Sequence, residues 1–349
     1  MTCFTRHGDI EIAYQDLGGA GGDPLLLVMG LAASRFWWPQ GLVDELLGQG
    51  FHVVAYDQRD AGQSTHLPDR ADGSGRRPIG ALLRRRAPAY TGEDLADDAI
   101  AVLDAVGWSS AHLFGHSMGG LLAQRTAIRH PDRVRSLTSS SAVPSDVSGL
   151  AVLRYLRLGT VARFARLRLP EGPDADLAFA ELIGRTMAPA GQAFGPEQAA
   201  VFRELAAREA AHGVVSFRDP KAQSRQIGAT WHGGRLADIT APALILHGGL
   251  DPLVRVAAAR ALAAAIPGAR LTTFPTVGHF LPPDSWPAYA AAIRTLASRA
   301  DLARPAASRG GCYPSACVAA VSNSGSLRMS SKTTVPGPAR RSARLRPPQ

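Results

Sequence analysis

The chain has 349 residues, of which 46% are hydrophobic, and it carries a formal net charge of +9. This length and apolar content suffice for one large α/β domain with an insertion, and they exclude a chain that is disordered throughout. No apolar run approaches the roughly 18–20 residues that span a bilayer, and the N-terminus lacks the pattern of a signal peptide. We therefore expect a cytoplasmic protein without a membrane partner.

Most of the positive charge lies near the C-terminus. Residues 300–349 hold eight arginines and lysines and one acid, a net +7, so only +2 remains for residues 1–299. The same segment is rich in Ser, Pro, Gly and Ala and lacks apolar periodicity, a composition typical of disorder. We predict a disordered, solvated basic tail over residues 299–349 and no nucleic-acid partner.

Strands and helices alternate along much of the chain. The sequence Thr91–Asp94 has the form of a capping box before a helix predicted over residues 95–106. Strands are predicted at residues 11–14 (expected at a sheet edge), 25–29, 111–114, 134–138, 243–247 and 270–274, and those at 111–114 and 243–247 are short apolar runs. This alternation predicts a mostly parallel sheet covered by helices on both faces.

Residues 115–119 read Gly-His-Ser-Met-Gly, directly after the strand predicted at 111–114. A serine between two glycines, at the exit of a strand and the entry of a helix, is the nucleophile-elbow pattern. Glycines at both ends avoid collisions in a sharp turn, which leaves Ser117 at the apex with its hydroxyl exposed. The pattern predicts Ser117 as a nucleophile at a helix N-terminus.

A serine hydroxyl needs a base and a group that orients the base. Asp251 follows the strand predicted at 243–247, and His279 follows the strand predicted at 270–274. Because the carboxyl ends of parallel strands gather at one sheet edge, we expect both side chains near Ser117. We predict His279 as general base and then acid, and Asp251 as the carboxylate that fixes the imidazole tautomer.

Three other side chains are weaker candidates for these roles. Asp238 precedes its strand, so it should lie at the opposite edge of the sheet. His116 adjoins Ser117 and His247 ends a strand, and we expect both to be packed structural residues.

A tetrahedral intermediate requires hydrogen-bond donors for its oxyanion. One predicted donor is the backbone N–H of Met118, directly after the nucleophile. The other is the backbone N–H of Leu31, in the loop that follows the strand at 25–29. Trp37 and Trp38 follow this loop, and they either line the substrate pocket or simply pack in the core.

The alternation of strands and helices stops between residues 139 and 236. Arg- and Ala-rich helical stretches such as 151–169 and 196–211 take its place. We predict a helical cap over 139–236, inserted into an α/β core formed by 1–138 and 237–298, that roofs the serine and shapes the pocket. The sequence has neither a glycine-rich phosphate loop nor a cluster with metal-ligand spacing, so we expect no cofactor and no metal.

Taken together, these motifs resemble the α/β-hydrolase superfamily from about residue 5 to residue 298. The run from Val53 to Ser64 is similar to its second strand–turn signature, and Ser117, Asp251 and His279 occupy its triad order. The sequences Leu-Leu-Val-Met-Gly (residues 26–30), Tyr-Asp-Gln-Arg-Asp-Ala-Gly (56–62) and Tyr90…Leu95…Asp98 resemble the aclacinomycin methylesterase-like branch. Members of that branch resemble methylesterases of aromatic polyketides, and they share a Met where histidine often precedes the glycine. The resemblance implies an α/β-hydrolase fold.

The resemblance and the candidate residues together predict a serine hydrolase. We expect it to cleave a small-molecule ester of small to medium apolar character through an acyl-enzyme. Superfamily members that open epoxides or displace halide use aspartate where Ser117 stands, which favours acyl transfer here. Carbon–carbon, thioester and perhydrolase chemistry use the same triad and remain alternatives. A ligand-binding member that does not turn over is the alternative from a different class.

Overall fold

The computed structural model of the protein describes residues 1–67, 90–167, 170, 174–189, 191–217, 223 and 231–303. Within these residues, the strands are β1 (Cys3–His7), β2 (Ile10–Gly18), β3 (Asp23–Val28), β4 (Phe51–Tyr56), β5 (Ala111–His116), β6 (Val134–Ser140), β7 (Ala243–Gly248) and β8 (Arg270–Phe274). The α-helices are α1 (Gln40–Gly48), α2 (Gly92–Ala105), α3 (Met118–Arg129), α4 (Leu158–Phe164), α5 (Ala175–Met187), α6 (Pro196–Ala210), α7 (Val256–Ala265) and α8 (Trp286–Ala303).

The strands form one sheet in the order β1-β2-β4-β3-β5-β6-β7-β8. The pairs β1–β2 and β2–β4 are antiparallel, and every pair from β4 to β8 is parallel. The mostly parallel sheet expected from the sequence is therefore confirmed. The strand predicted at 11–14 is not at the edge, because β1 pairs outside it with Thr5 opposite Ile12.

Both faces of the sheet are buried, as a doubly wound sheet requires. Along β3, Leu26 and Val28 join one apolar cluster while Leu25 and Leu27 join the other, since successive strand residues point to opposite faces. The first cluster includes residues of α2, α3 and α7, and the second includes residues of α1, α8, α5 and α6. Helices α5 and α6, which belong to the segment predicted as a cap, thus pack into the same apolar layer as α1 and α8.

The cap segment (residues 139–236) differs in detail from its prediction. Its first two residues belong to β6, and the helix predicted at 151–169 is replaced by a short 3-10 helix (Gly149–Tyr155) and then α4. The helix is interrupted because Leu156 forms a β-bridge with Val254, in the loop after β7. The helix predicted near 196–211 is present as α6.

The start of α2 and the end of α8 both differ from their predicted positions. The capping box at Thr91 and Asp94 is confirmed, and it starts α2 slightly earlier than predicted. Helix α8 continues to Ala303 with Ala300 buried, so residues 299–303 are helical and not part of a tail. Residues 304–349 of the predicted tail lie outside the described residues. No helix in the described part of the chain is long and apolar enough to cross a membrane.

Candidate active site

Ser117 lies in the sharp turn between β5 and α3. Its backbone has φ 56° and ψ −121°, a conformation that costs a non-glycine residue on the order of 1–3 kcal/mol. The turn is held by a 2.8 Å hydrogen bond from the N–H of Ser117 to the carbonyl of Ser140 in β6. Glycine is required at Gly119, because a Cβ there would lie 1.9 Å from the carbonyl oxygen of Val28. The surrounding backbone therefore imposes the strained serine conformation.

The structure brings Ser117, His279 and Asp251 together in one line. The Nε2 atom of His279 lies 3.0 Å from Oγ of Ser117, and its Nδ1 atom lies 2.8 Å from Oδ2 of Asp251. Asp251 follows β7 and His279 follows β8, and strands β5 to β8 run parallel, so both loops open at the same sheet edge as the Ser117 turn after β5. Both side chains are almost completely buried.

The surroundings of Asp251 favour its ionised form. Burial by itself would raise the pKa of this carboxyl, but the charge and hydrogen bond of His279 outweigh burial, and the pKa is lowered. The second oxygen, Oδ1, accepts hydrogen bonds of 2.7 and 2.8 Å from the N–H groups of Leu253 and Val254. An ionised Asp251 keeps a proton on Nδ1 of His279, which leaves Nε2 free to accept one from the serine.

The weaker candidates occupy other positions. Burial, with the nearby charge of His279, lowers the pKa of His116 to about 3, and its Nδ1 lies 3.3 Å from Oγ of Ser140. Burial also lowers the pKa of His247, whose Nε2 lies 3.2 Å from the carbonyl oxygen of Val254. Asp238 is exposed in a 3-10 turn before β7, at the other end of that strand.

The loop after β3 lies directly against the serine. A Cβ built on Gly30 would be 3.3 Å from the Cβ of Ser117, so the backbone around Gly30 and Leu31 adjoins the hydroxyl. Met118 is the first residue of α3, where backbone N–H groups have no partner inside the helix. The two predicted oxyanion donors thus belong to the two backbone segments that flank Ser117.

The tryptophans that follow this loop are both buried. The ring of Trp37 makes edge-on contacts with the rings of Phe202 and Phe217, which belong to the cap segment. Trp38 is fully buried, and its ring centroid lies 5.0 Å from that of Phe114 in β5. Packing accounts for the position of Trp38, and a lining role for either residue stays a prediction.

A buried ion pair anchors the same loop from the side of the sheet. The guanidinium of Arg35 binds the carboxylate of Asp57, which directly follows β4, and neither side chain is exposed beyond 1%. Asp57 also accepts a 2.6 Å hydrogen bond from the N–H of Arg35 and a 2.8 Å bond from the N–H of Gln63. The sequence places Asp57 at a strand end but gives no signal for its pairing with Arg35.

The described residues contain no group of three or more His, Cys, Asp or Glu placed to hold a metal ion.

A parallel sheet with a strained serine turn, followed by an aspartate and a histidine in successive loops, defines a class of hydrolases. The chain belongs to the α/β-hydrolase fold family, whose model matches residues 23–285, and it is a hydrolase of that family. The superfamily resemblance seen in the sequence is confirmed.

Relatives of this chain include rhodomycin D methylesterase DnrP of Streptomyces peucetius. It is 29% identical over 303 residues, which cover 80% of this chain and 93% of the relative. A protein of Variovorax paradoxus, RutD, is provisionally described as a carbamate hydrolase and is 30% identical over 277 residues, or 77% of this chain and 90% of the relative. The likeness to the methylesterase branch is thus confirmed.

Solved structures support the fold. An esterase from Exiguobacterium antarcticum superposes with a TM-score of 0.60 at 20% identity, covering 85% of this chain and 100% of that chain.

Proposed function

We propose that the protein is a serine hydrolase that cleaves a carboxylic ester of small to medium apolar character through an acyl-enzyme. The observation that carries this proposal is the continuous hydrogen-bonded line from Asp251 through His279 to Ser117, with distances of 2.8 and 3.0 Å. A nucleophile, a base and a group that orients the base are the parts that acyl transfer by serine requires.

The proposed reaction begins when Nε2 of His279 removes the proton of Ser117 and Oγ attacks the ester carbonyl carbon. The carbonyl electron pair moves to oxygen, and the resulting oxyanion accepts hydrogen bonds from the N–H groups of Leu31 and Met118. His279 then gives its proton to the departing alcohol, which leaves an acyl group on Ser117. Water, deprotonated by His279, attacks this acyl group. His279 then returns the proton to Oγ of Ser117 as the acid leaves, which restores the enzyme.

The substrate class is proposed from the relatives and from the position of the cap. The likeness to rhodomycin D methylesterase makes a methyl ester the first candidate, and the likeness to RutD makes a carbamate the second. A Cβ built on Gly278, beside His279, would lie 2.8 Å from the nitrogen of Pro189 and 3.0 Å from the carbonyl oxygen of Met187, at the end of α5. We therefore assign residues 139–236 to a cap that shapes the pocket over the core of 1–138 and 237–298.

The variant Ser117→Ala tests the proposal on a chromogenic short-chain ester. We expect kcat to fall by about 10⁴- to 10⁶-fold, because the nucleophile is removed. Ser109→Ala, an exposed serine before β5, is the matched control and should keep full activity. Unchanged turnover by Ser117→Ala would refute the assignment.

A panel of esters and carbamates separates an enzyme from the ligand-binding alternative. The proposal predicts multiple turnover of at least one carbonyl substrate. Stoichiometric labelling of Ser117 by a fluorophosphonate, without multiple turnover of any substrate in the panel, would favour the ligand-binding alternative instead.

A further inference from the structure

The cap segment binds the backbone of the loop that carries the proposed oxyanion donor Leu31. The N–H of Ala32 donates a 2.6 Å hydrogen bond to Oε1 of Gln223, and the carbonyl of Ala32 accepts a 2.8 Å bond from the N–H of Phe217. The N–H of Ser34 donates a 2.9 Å bond to Oγ of Ser216. Both backbone polar groups of Ala32 are therefore held by residues that follow it by about half the chain.

A buried carboxylate accepts hydrogen bonds from both sides of this contact. Glu209, at the end of α6, is only 3% exposed. Its Oε1 accepts hydrogen bonds from the hydroxyls of both Ser34 and Ser216, and its Oε2 accepts a 3.1 Å bond from the N–H of Ser216. Hydrogen bonds to a charged acceptor are the stronger kind, and Glu209 receives donors from both the loop and the cap.

The backbone of this loop is strained at Ala32. Ala32 has φ 55°, in the left-handed region that non-glycine residues rarely occupy. Such strain persists only where surrounding contacts over-determine the backbone. Upstream, the carbonyl of Met29 accepts a hydrogen bond from the side chain of Gln58, so the two residues between Met29 and Ala32 are fixed from both sides.

We propose that Glu209 is a positioning residue, which through Ser34 and Ser216 holds the loop so that the N–H of Leu31 faces the oxyanion. This inference rests on the proposed function of Ser117. It makes the cap part of the geometry of the transition state, in addition to its proposed role as a roof over the pocket. Glu209 touches neither the substrate nor the reacting atoms in this account.

The variant Glu209→Gln tests the proposal. A glutamine has one acceptor oxygen in place of two, so either the hydroxyl pair or the N–H of Ser216 loses its acceptor. Loss of one oxyanion donor costs roughly a hundred- to a thousandfold, and for a displaced donor we expect kcat to fall by about ten- to a hundredfold with KM within about twofold. The matched control is Glu204→Gln, an exposed glutamate on the same helix, which should match the wild type.

The inhibition constant of a trifluoromethyl ketone distinguishes a positioning role from a merely structural one. Oγ of Ser117 adds to its carbonyl carbon, the serine proton passes to His279, and the carbonyl oxygen becomes an oxyanion in the same position. We expect the inhibition constant of this ketone for Glu209→Gln to rise in proportion to the loss of kcat/KM. Circular dichroism gives the folded fraction of the variant, and kcat is calculated per folded molecule. An unchanged inhibition constant or an unchanged kcat in folded Glu209→Gln would overturn the proposal.

Two further measurements keep the test decisive. If Glu209→Gln does not fold, Ser34→Ala is tested instead, because it removes only one of the hydroxyl groups that donate to the carboxylate of Glu209. We expect a smaller fall in kcat and a smaller rise in the inhibition constant. If the wild type turns over no ester and no carbamate, the proposed function fails, and the rate at which a fluorophosphonate labels Ser117 then tests the positioning role. A slower rate in Glu209→Gln supports it, and an equal rate refutes it.

Discussion

The edge of the sheet and the cap hold the candidate site in different ways. At the sheet edge, Ser117, Asp251 and His279 each follow the end of a parallel strand, so strand register brings their three loops to one edge. The cap contributes single hydrogen bonds between residues far apart in sequence, such as Ser34 with Glu209 and Ala32 with Gln223. The loop from Met29 to Arg35 is where the two regions meet, since Asp57 binds it from the sheet and Glu209 from the cap.

This difference separates two properties of the site. The sheet edge provides the nucleophile and its base. The strand ends position these groups, and the N–H of His279 also donates a 3.3 Å hydrogen bond to the carbonyl of Met187 in the cap segment. The cap acts on the loop that carries a proposed oxyanion donor, so its contribution should appear in transition-state stabilisation. Changes on the sheet side should therefore abolish activity or stability, whereas changes on the cap side should reduce kcat by a smaller factor.

Among changes that leave the nucleophile Ser117 in place, the largest effect is expected where the orienting carboxylate is removed. Asp251→Asn should lower kcat by about 10⁴-fold, because the amide favours the tautomer of His279 that carries its proton on Nε2. Asp238→Asn, at the opposite end of β7, is the control and should keep its kcat. Steady-state kinetics on one ester measures both, and equal activity of the two variants would contradict the assigned role.

The same variant has a pH signature. The pKa of Asp251 is lowered in the folded protein, so its ionised form contributes stability above the unfolded value of about 3.9. That contribution is lost as pH falls through the lower folded pKa. The free energy of unfolding, measured by chemical denaturation, should therefore fall more steeply on acidification in the wild type than in Asp251→Asn. Parallel curves of this free energy against pH would contradict a lowered pKa of Asp251.

A stability effect of intermediate size is expected on the sheet side of the loop. Asp57→Ala leaves the guanidinium of Arg35 buried without its partner, which should cost about 3–5 kcal/mol in the free energy of unfolding. Glu11→Ala removes one partner of an exposed pair with Arg6 and should cost less than about 1 kcal/mol. Denaturant titration distinguishes them, and similar losses would show that the buried pair is not an anchor.

The sheet edge could be predicted from the sequence better than the cap contacts could. The elbow of residues 115–119, the strand ends before Asp251 and His279 and the capping box at Thr91 are local patterns, so they could be read in the sequence. The position of β1 outside β2 depends on a tertiary pairing that no short pattern encodes. The interruption of the helix predicted at 151–169 depends on the bridge between Leu156 and Val254.

The cap contacts were the least predictable part of the site. Glu209 lies on a helix with exposed charged neighbours, and in sequence it resembles any solvated glutamate. Its burial and its hydroxyl partners arise only when Ser34 and Ser216 are brought to it by the packing of α6 on the core. A functional role that depends on such long-range hydrogen bonds has no local signature.

In the proposed reaction Ser117 carries the acyl group, and this intermediate can be trapped and located. A slowly deacylating aryl ester is mixed with the protein, quenched in acid and digested, and the modified peptide is sequenced by mass spectrometry. We expect one acyl group per molecule, on Ser117, and none in Ser117→Ala. An acyl group on another residue, or continued turnover with Ser117 replaced, would contradict it.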